Sequence, residues 1–144
     1  MEENIHFKHT FPVQLRFSDV DRFGHVNNSV YFSLYDLAKT TYFKDVAGDK
    51  VDWDKTGVVA ANIQANFLAP IIFTENIAIQ TTTTHLGNKS FTILQQAINT
   101  DTQEVKCTCQ TIMVGYDIQD KISIPIPEDF KKTVREFEQK EELM

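Results

Sequence analysis

The sequence predicts an α+β domain in which a curved antiparallel β-sheet wraps around one long central α-helix. Three observations support this fold class. Residues 30–47 form a helical segment that is apolar over most of its circumference, residues 76–116 resemble three consecutive strands joined by short turns, and a length of 144 residues fits a single core. We therefore expect one domain over residues 1–144, with its core at about residues 7–116.

The first strand is expected between Phe7 and Phe17. Its apolar residues fall on one parity, which is the pattern of a half-buried strand: Phe7, Phe11, Val13, Leu15 and Phe17. Pro12 has no amide proton to donate, so this strand is expected at an edge of the sheet or at a bulge.

The long helix is expected from Val30 to Ala47. Its apolar residues recur at helical spacing, and only a narrow polar stripe interrupts them, so the helix should be covered on most sides. Asn27 or Asn28 is the natural N-cap, and Gly48 is well placed to end the helix.

Four further strands should follow the helix. After a loop that carries Trp53, the segment from Val58 to Leu68 alternates apolar and polar side chains until Pro70 ends or bends it. The next three segments, at residues 76–86, 90–99 and 104–116, are separated by short turns, which predicts an antiparallel meander.

The last element is expected to be a charged helix over residues 128–142. Its apolar positions are Phe130, Val134 and Phe137, so we expect it to dock weakly or to fray toward Met144.

Composition limits the classes of function. A net charge of −6 and a pI near 5.1 argue against a nucleic-acid or anionic-membrane surface. No apolar run approaches the length of a membrane span and no apolar leader follows Met1, so we expect a cytoplasmic protein.

Cys107 and Cys109 share one face of a strand and cannot easily bridge each other, so they are expected to be reduced core residues. The histidines do not converge in the sequence, and no metal site is expected.

The residues that could carry chemistry precede the long helix. They comprise two carboxylates, a glycine hinge, a histidine and two asparagines: Asp19, Asp21, Gly24, His25, Asn27 and Asn28. A carboxylate beside exposed helix amides suits a reaction in which the acid activates water while the amides stabilise charge on a carbonyl oxygen.

Other roles for these residues are open. Asp19 and Asp21 could instead complement the helix dipole, which is worth about 0.3–1 kcal/mol, and we favour such a structural role for Asp19. His25 is either a base or a hydrogen-bonding residue across the turn. A calcium loop is excluded because Phe23 and Val30 occupy positions that need oxygen ligands.

The pattern Asp19-x-Asp21-x-x-Gly24-His25-Val26-Asn27-Asn28-x-x-Tyr31 resembles the signature of hotdog-fold thioesterases of the 4-hydroxybenzoyl-CoA thioesterase type and their acyl-ACP thioesterase relatives. The order of elements from Phe7 to Tyr116 also matches that family. By this resemblance, Asp21 corresponds to the catalytic carboxylate and Asn28 to the helix-start position whose amide polarises the thioester carbonyl. His25 matches a histidine of the acyl-ACP thioesterases, whereas Phe23 stands where those enzymes carry a catalytic asparagine.

The resemblance implies an acyl-CoA thioesterase that acts as a homodimer or homotetramer. Coenzyme A would be part of the substrate, and no separate cofactor is expected. Arg22 and Lys89 are the expected contacts of the CoA phosphates, and Gly24 is also counted among the substrate-binding positions. The alternatives are an acyl-ACP thioesterase and a non-catalytic acyl-CoA-binding module on the same fold.

Overall fold

The computed structural model describes residues 5–51 and 57–144, so the predicted loop with Trp53 lies partly outside the described residues. These described residues form six strands and two α-helices in the following order: β1 His9–Val13, α1 Asn28–Val46, β2 Gly57–Phe67, β3 Ile77–Leu86, β4 Ser90–Asn99, β5 Val105–Asp117, β6 Ile122–Ser123 and α2 Glu128–Glu138. The two-residue strand β6 was not predicted. No helix in the described part of the chain is long and apolar enough to cross a membrane.

The strands form one antiparallel sheet in the order β1-β3-β4-β5-β2, and β6 pairs with β5. The predicted meander of β3, β4 and β5 is confirmed. β1 is an edge strand, which is one of the two positions predicted from Pro12, and β2 forms the opposite edge.

Helix α1 packs against one face of the sheet. Its buried side chains recur every three or four residues and point at the sheet: Tyr31, Leu34, Tyr35, Ala38, Tyr42 and Val46. The opposite side of the helix is open in a single chain, where Leu37 is 51% exposed and Phe32 is 38% exposed. The prediction of a helix covered on most sides is therefore confirmed for the sheet side only.

The predicted first strand is longer than the observed one. Phe17 was expected inside but is 82% exposed, because residues Phe17–Asp19 form a 3-10 turn that breaks the strand alternation. At the other end of β1, His9 is buried, with Nε2 2.8 Å from Oδ2 of Asp45.

The prediction of a weakly docked C-terminal helix is wrong. Phe130 and Val134 of α2 are fully buried, and Glu138 at its end is 1% exposed. The Glu138 carboxylate accepts hydrogen bonds from the hydroxyls of Tyr42 and Thr82 and from the amide of Thr83. Because these groups belong to α1 and β3, the C-terminal helix is fixed to both.

The core divides into two clusters. One lies under the first half of α1 and includes Cys107 and Cys109, which are free and buried as predicted. The other lies under the second half and contains the buried residues of α2. The first cluster supports the region that precedes α1.

Candidate active site

The segment before α1 is a tight turn closed by an antiparallel bridge between Val20 and Val26. Oδ1 of Asp21 accepts the amides of Phe23 and His25 at 2.9 and 3.2 Å, so the carboxylate closes the turn through one oxygen. Gly24 has φ +80°, a conformation that side chains disfavour, which explains the glycine in the motif.

Asp19 anchors the base of this turn. Its carboxylate is buried and accepts the amide of Arg16 at 2.7 Å and two guanidinium bonds from the same residue. Burial opposes ionisation, but the hydrogen bonds from Arg16 outweigh it and lower the pKa of Asp19 below its usual value. The carbonyl of Asp19 accepts the amide of Asn27 at 2.9 Å, which fixes the residue before α1.

The first turn of α1 has no side-chain cap. Asn27 is the N-cap residue, with φ −62° and ψ 141°, but its side chain bonds to none of the helix amides. The first turn also carries no acidic residue. Partial positive charge therefore remains at the start of α1, where Asn28 is the first helical residue.

The turn and the helix start face one cavity of about 450 Å³. Its lining residues come from the turn, the first turn of α1 and the segment after β2: Asp21, His25, Val26, Asn27, Asn28, Ser29, Tyr31, Phe67, Leu68, Ala69 and Pro70. The rings of Tyr31 and Phe67 meet edge to face with centroids 5.1 Å apart. The cavity thus combines a carboxylate, exposed helix amides and an aromatic wall.

Asp21, His25 and Asn28, which were predicted as catalytic, all line this cavity. The second carboxylate oxygen of Asp21 and the imidazole of His25 make no hydrogen bond to the described residues, so both can interact with a ligand. A carboxylate oxygen with no other partner can take a proton from water, and the amide of Asn28 can bind a carbonyl oxygen.

The residues predicted to bind substrate are placed differently. Gly24 shapes the turn and does not line the cavity. The Arg22 guanidinium lies 5.7 Å from the centroid of the Phe23 ring, on the solvent side of the turn. Lys89 lies beside the far end of β5, where its carbonyl accepts the amide of Gly115, because Ser90 pairs with Val114 whereas the cavity residue Phe67 pairs with Cys107. Cys107 and Val114 are seven positions apart in β5, which corresponds to roughly 24 Å of strand.

Sequence reasoning missed the wall formed by Leu68, Ala69 and Pro70. The only signal was Pro70, which was expected to end β2, and nothing indicated that the segment returns to the turn before α1. In the structure, the amide of Val26 donates to the carbonyl of Ile71 at 2.8 Å, and His25 forms a bridge with Ile72.

No group of three or more metal-ligating side chains occurs among residues 5–51 and 57–144. Burial raises the pKa of Cys107 and Cys109, which disfavours their thiolate forms.

Comparison with known proteins gives one family. The model of the thioesterase-like superfamily matches residues 15–134. A curated relative, the uncharacterized protein YsmA of Bacillus subtilis, is 31% identical over 81 residues, which are 56% of this chain and 54% of that protein. The chain thus matches about half the length of this relative.

Two solved structures share the fold. A thioesterase from Thermus thermophilus, solved with coenzyme A and Zn, is 25% identical with a TM-score of 0.80, covering 93% of this chain and 96% of that chain. A predicted thioesterase from Bacillus stearothermophilus is 20% identical with a TM-score of 0.77, covering 89% of this chain and 94% of that chain. The predicted hotdog fold is confirmed.

Proposed function

The chain belongs to the thioesterase-like superfamily, and we propose that it hydrolyses an acyl-CoA thioester to a free acid and CoA. One observation carries the proposal: the Asp21 carboxylate and the uncapped start of α1 line the same cavity. The first group can activate the nucleophile, and the second can stabilise the oxyanion that forms on the acyl carbonyl.

In the proposed reaction, the thioester carbonyl oxygen accepts the amide of Asn28. Water adds to the carbonyl carbon and gives its proton to Asp21. The tetrahedral intermediate then expels CoA as a thiolate, whose thiol has a pKa of about 8.5, so no strong general acid is needed. His25 positions the water or assists the proton transfer.

Direct attack by Asp21 fits the same geometry. The carboxylate would then form a mixed anhydride and release CoA, and water would hydrolyse the anhydride in a second step. A single turnover in ¹⁸O-labelled water can reveal the direct route. ¹⁸O in Asp21 together with an unlabelled product acid requires the anhydride, opened by water at the Asp21 carbonyl. ¹⁸O in the acid alone fits either water activation or an anhydride opened at the acyl carbonyl, and trapping the anhydride with hydroxylamine then separates these two.

A CoA carrier is supported by the Thermus thermophilus thioesterase, which was solved with coenzyme A. Arg22 is an exposed cation next to the turn, and it forms no ion pair within the described residues. We assign it to the CoA phosphates. Lys89 could take that role only for the cavity of another copy of the chain, because about 24 Å of strand separates it from this one.

A homodimer or homotetramer is supported by the open edge at β2. Three large apolar side chains of this strand are at least 40% exposed: Val59, Ile63 and Phe67. The exposed side of α1 adds Leu37 and Phe32. An unpaired edge with apolar neighbours is a surface that a second copy can cover.

The test is release of free thiol from a panel of acyl-CoAs by wild type, Asp21→Asn and the control Asp120→Asn. Asp120 is an exposed carboxylate in the turn between β5 and β6, so Asp120→Asn removes one negative charge, as Asp21→Asn does, but at a position away from the cavity. Wild type and the control should turn over at equal rates, while Asp21→Asn should lose about 10²–10⁴-fold in kcat. Hydrolysis of acyl-ACP alone, or CoA binding without turnover, would favour one of the alternatives.

A further inference from the structure

A partly buried ion pair lies behind the cavity wall. Lys106 is 7% exposed, and its Nζ lies 2.9 Å from Oε2 of Glu75 and 3.0 Å from Oε1 of Glu104. The same Nζ donates to the carbonyl of Pro70 at 3.3 Å. The ammonium thus has three acceptors for its three protons, and one of them belongs to the wall itself.

Lys106 also holds the wall through its backbone. The β4–β5 register shifts at this point, because Ala97 pairs with Cys107 and Ile98 pairs with Val105, which leaves Lys106 as a bulge residue. Its carbonyl accepts the amides of both Leu68 and Ala69, at 2.9 and 3.0 Å.

Glu75 holds the residues that directly follow the wall. Its Oε1 accepts the amide of Ile72 at 2.8 Å, and its Oε2 accepts the side chain of Asn99 at 2.8 Å. Burial opposes ionisation of both groups. At Glu75 the hydrogen bonds from Ile72, Asn99 and Lys106 outweigh it and lower the pKa, and at Lys106 the contacts with Glu75 and Glu104 outweigh it and raise the pKa. Both groups are therefore charged at neutral pH.

The wall is bonded to the turn that carries Asp21. Val26 donates its amide to the carbonyl of Ile71, and Phe73 donates its amide to the carbonyl of Gly24 at 3.3 Å. The segment from Leu68 to Phe73 therefore lies between the ion pair on one side and the turn on the other.

We propose that Glu75 and Lys106 are positioning residues, which hold the cavity wall and, through it, the turn of Asp21 at the spacing that the acyl group needs. Neither side chain lines the cavity, so both act through the wall. The proposal rests on the proposed thioesterase function. The pair is largely removed from water, and the cost of this desolvation offsets much of the attraction between its charges, so the attraction itself adds little net stability.

The experiment uses Glu75→Gln, Lys106→Met and the double variant. Glu75→Gln keeps the size of the side chain and an oxygen for the amide of Ile72, so it is the variant that disturbs the fold least. Glu138→Gln is the matched control, because the Glu138 carboxylate is hydrogen-bonded through both oxygens, as the Glu75 carboxylate is, but lies at the other end of the molecule. Acyl-CoA kinetics and amide hydrogen exchange are measured at a temperature where circular dichroism shows every variant folded.

We expect each single variant to raise KM for acyl-CoA and to lower kcat/KM by about 10–100-fold, the scale of a small misplacement of the reacting groups. The double variant should be no worse than the poorer single variant, because both changes release the same wall. The control should keep the wild-type kcat and KM. Amides of Ala69, Ile72 and Val26 should exchange faster in the Glu75 and Lys106 variants only.

Wild-type kinetic constants together with wild-type exchange at these amides would overturn the proposal, as would equal kinetic losses in the Glu138 control. If the wild type hydrolyses no acyl-CoA, the proposed function fails, and exchange at the wall amides still decides the positioning role. Faster exchange confined to the wall and the turn would then support it, and unchanged exchange would refute it.

Discussion

Replacing Asn28 by proline removes the backbone amide proton at the start of α1 together with the Asn28 side chain, and it changes little else in the candidate site. Asn28 is the first residue of α1, where an amide has no partner within the helix and where proline is well tolerated. Asn27 has φ −62° and ψ 141°, an extended conformation that suits a residue before proline. The variant should therefore fold with nearly wild-type stability.

The expected loss is that of one oxyanion donor, about 10²–10³-fold in kcat or roughly 2.7–4 kcal/mol of transition-state stabilisation. Asn28→Ala is the matched control, because it removes the side chain and keeps the amide, and it should retain kcat within about threefold if only the amide acts. The assay is steady-state thiol release from an acyl-CoA, with urea unfolding to verify the fold. A folded Asn28→Pro protein with wild-type kcat would refute the assignment of this amide as the oxyanion donor.

Three other predictions concern the turn and the core. Gly24→Ala should lower the free energy of unfolding by about 1–2 kcal/mol through backbone strain alone, since φ is +80° and no atom lies within 4 Å of the added methyl group; urea titration measures this, and an unchanged midpoint would contradict it. The depressed pKa of Asp19 contributes stability that is present above its unfolded pKa of about 3.9 and is lost as pH falls through the folded value. Between pH 5 and pH 3, wild type should therefore lose more unfolding free energy than Arg16→Met, and equal losses would count against this ion pair. Cys107 and Cys109 should react with a chromogenic disulfide only after unfolding, because both thiols are buried with raised pKa values; rapid labelling of the native protein would show that they are accessible.

The sequence was sufficient to predict elements with regular periodicity. Helix α1 begins two residues earlier than expected and ends one residue earlier, and β4 matches its predicted bounds. The alternation in β5 also placed Cys107 and Cys109 on the buried face. These patterns depend on neighbouring residues in the sequence, and in α1, β4 and β5 the tertiary contacts bury the same faces that the patterns predict.

The errors arose where a distant contact changes the local pattern. The alternation in β5 places Lys106 on the face opposite the cysteines, but at the bulge its side chain is buried and meets Glu75, which lies 31 positions earlier in the sequence. Glu138 belongs to the segment that was predicted as a charged, weakly docked helix. Its burial depends on hydroxyl groups of α1 and β3, which hydrogen-bond to its carboxylate. Neither partner can be identified from spacing along the chain.

The candidate site was also predictable only in part, because some of its residues are neighbours in the sequence and others are not. Asp21, His25 and Asn28 lie within eight consecutive residues, so one turn is enough to bring them together. The wall at Leu68, Ala69 and Pro70 comes from a segment some 40 positions later, and only the folded chain brings it to the turn.

The most direct test of the proposed chemistry is a crystal structure with an acyl-CoA analogue in which a methylene group replaces the thioester sulfur. We predict that its carbonyl oxygen lies about 3 Å from the amide nitrogen of Asn28. The free carboxylate oxygen of Asp21 should then face the carbonyl carbon, directly or through one water molecule. An acyl carbonyl bound away from the start of α1, or on the far side of the turn from the Asp21 carboxylate, would contradict the proposed mechanism.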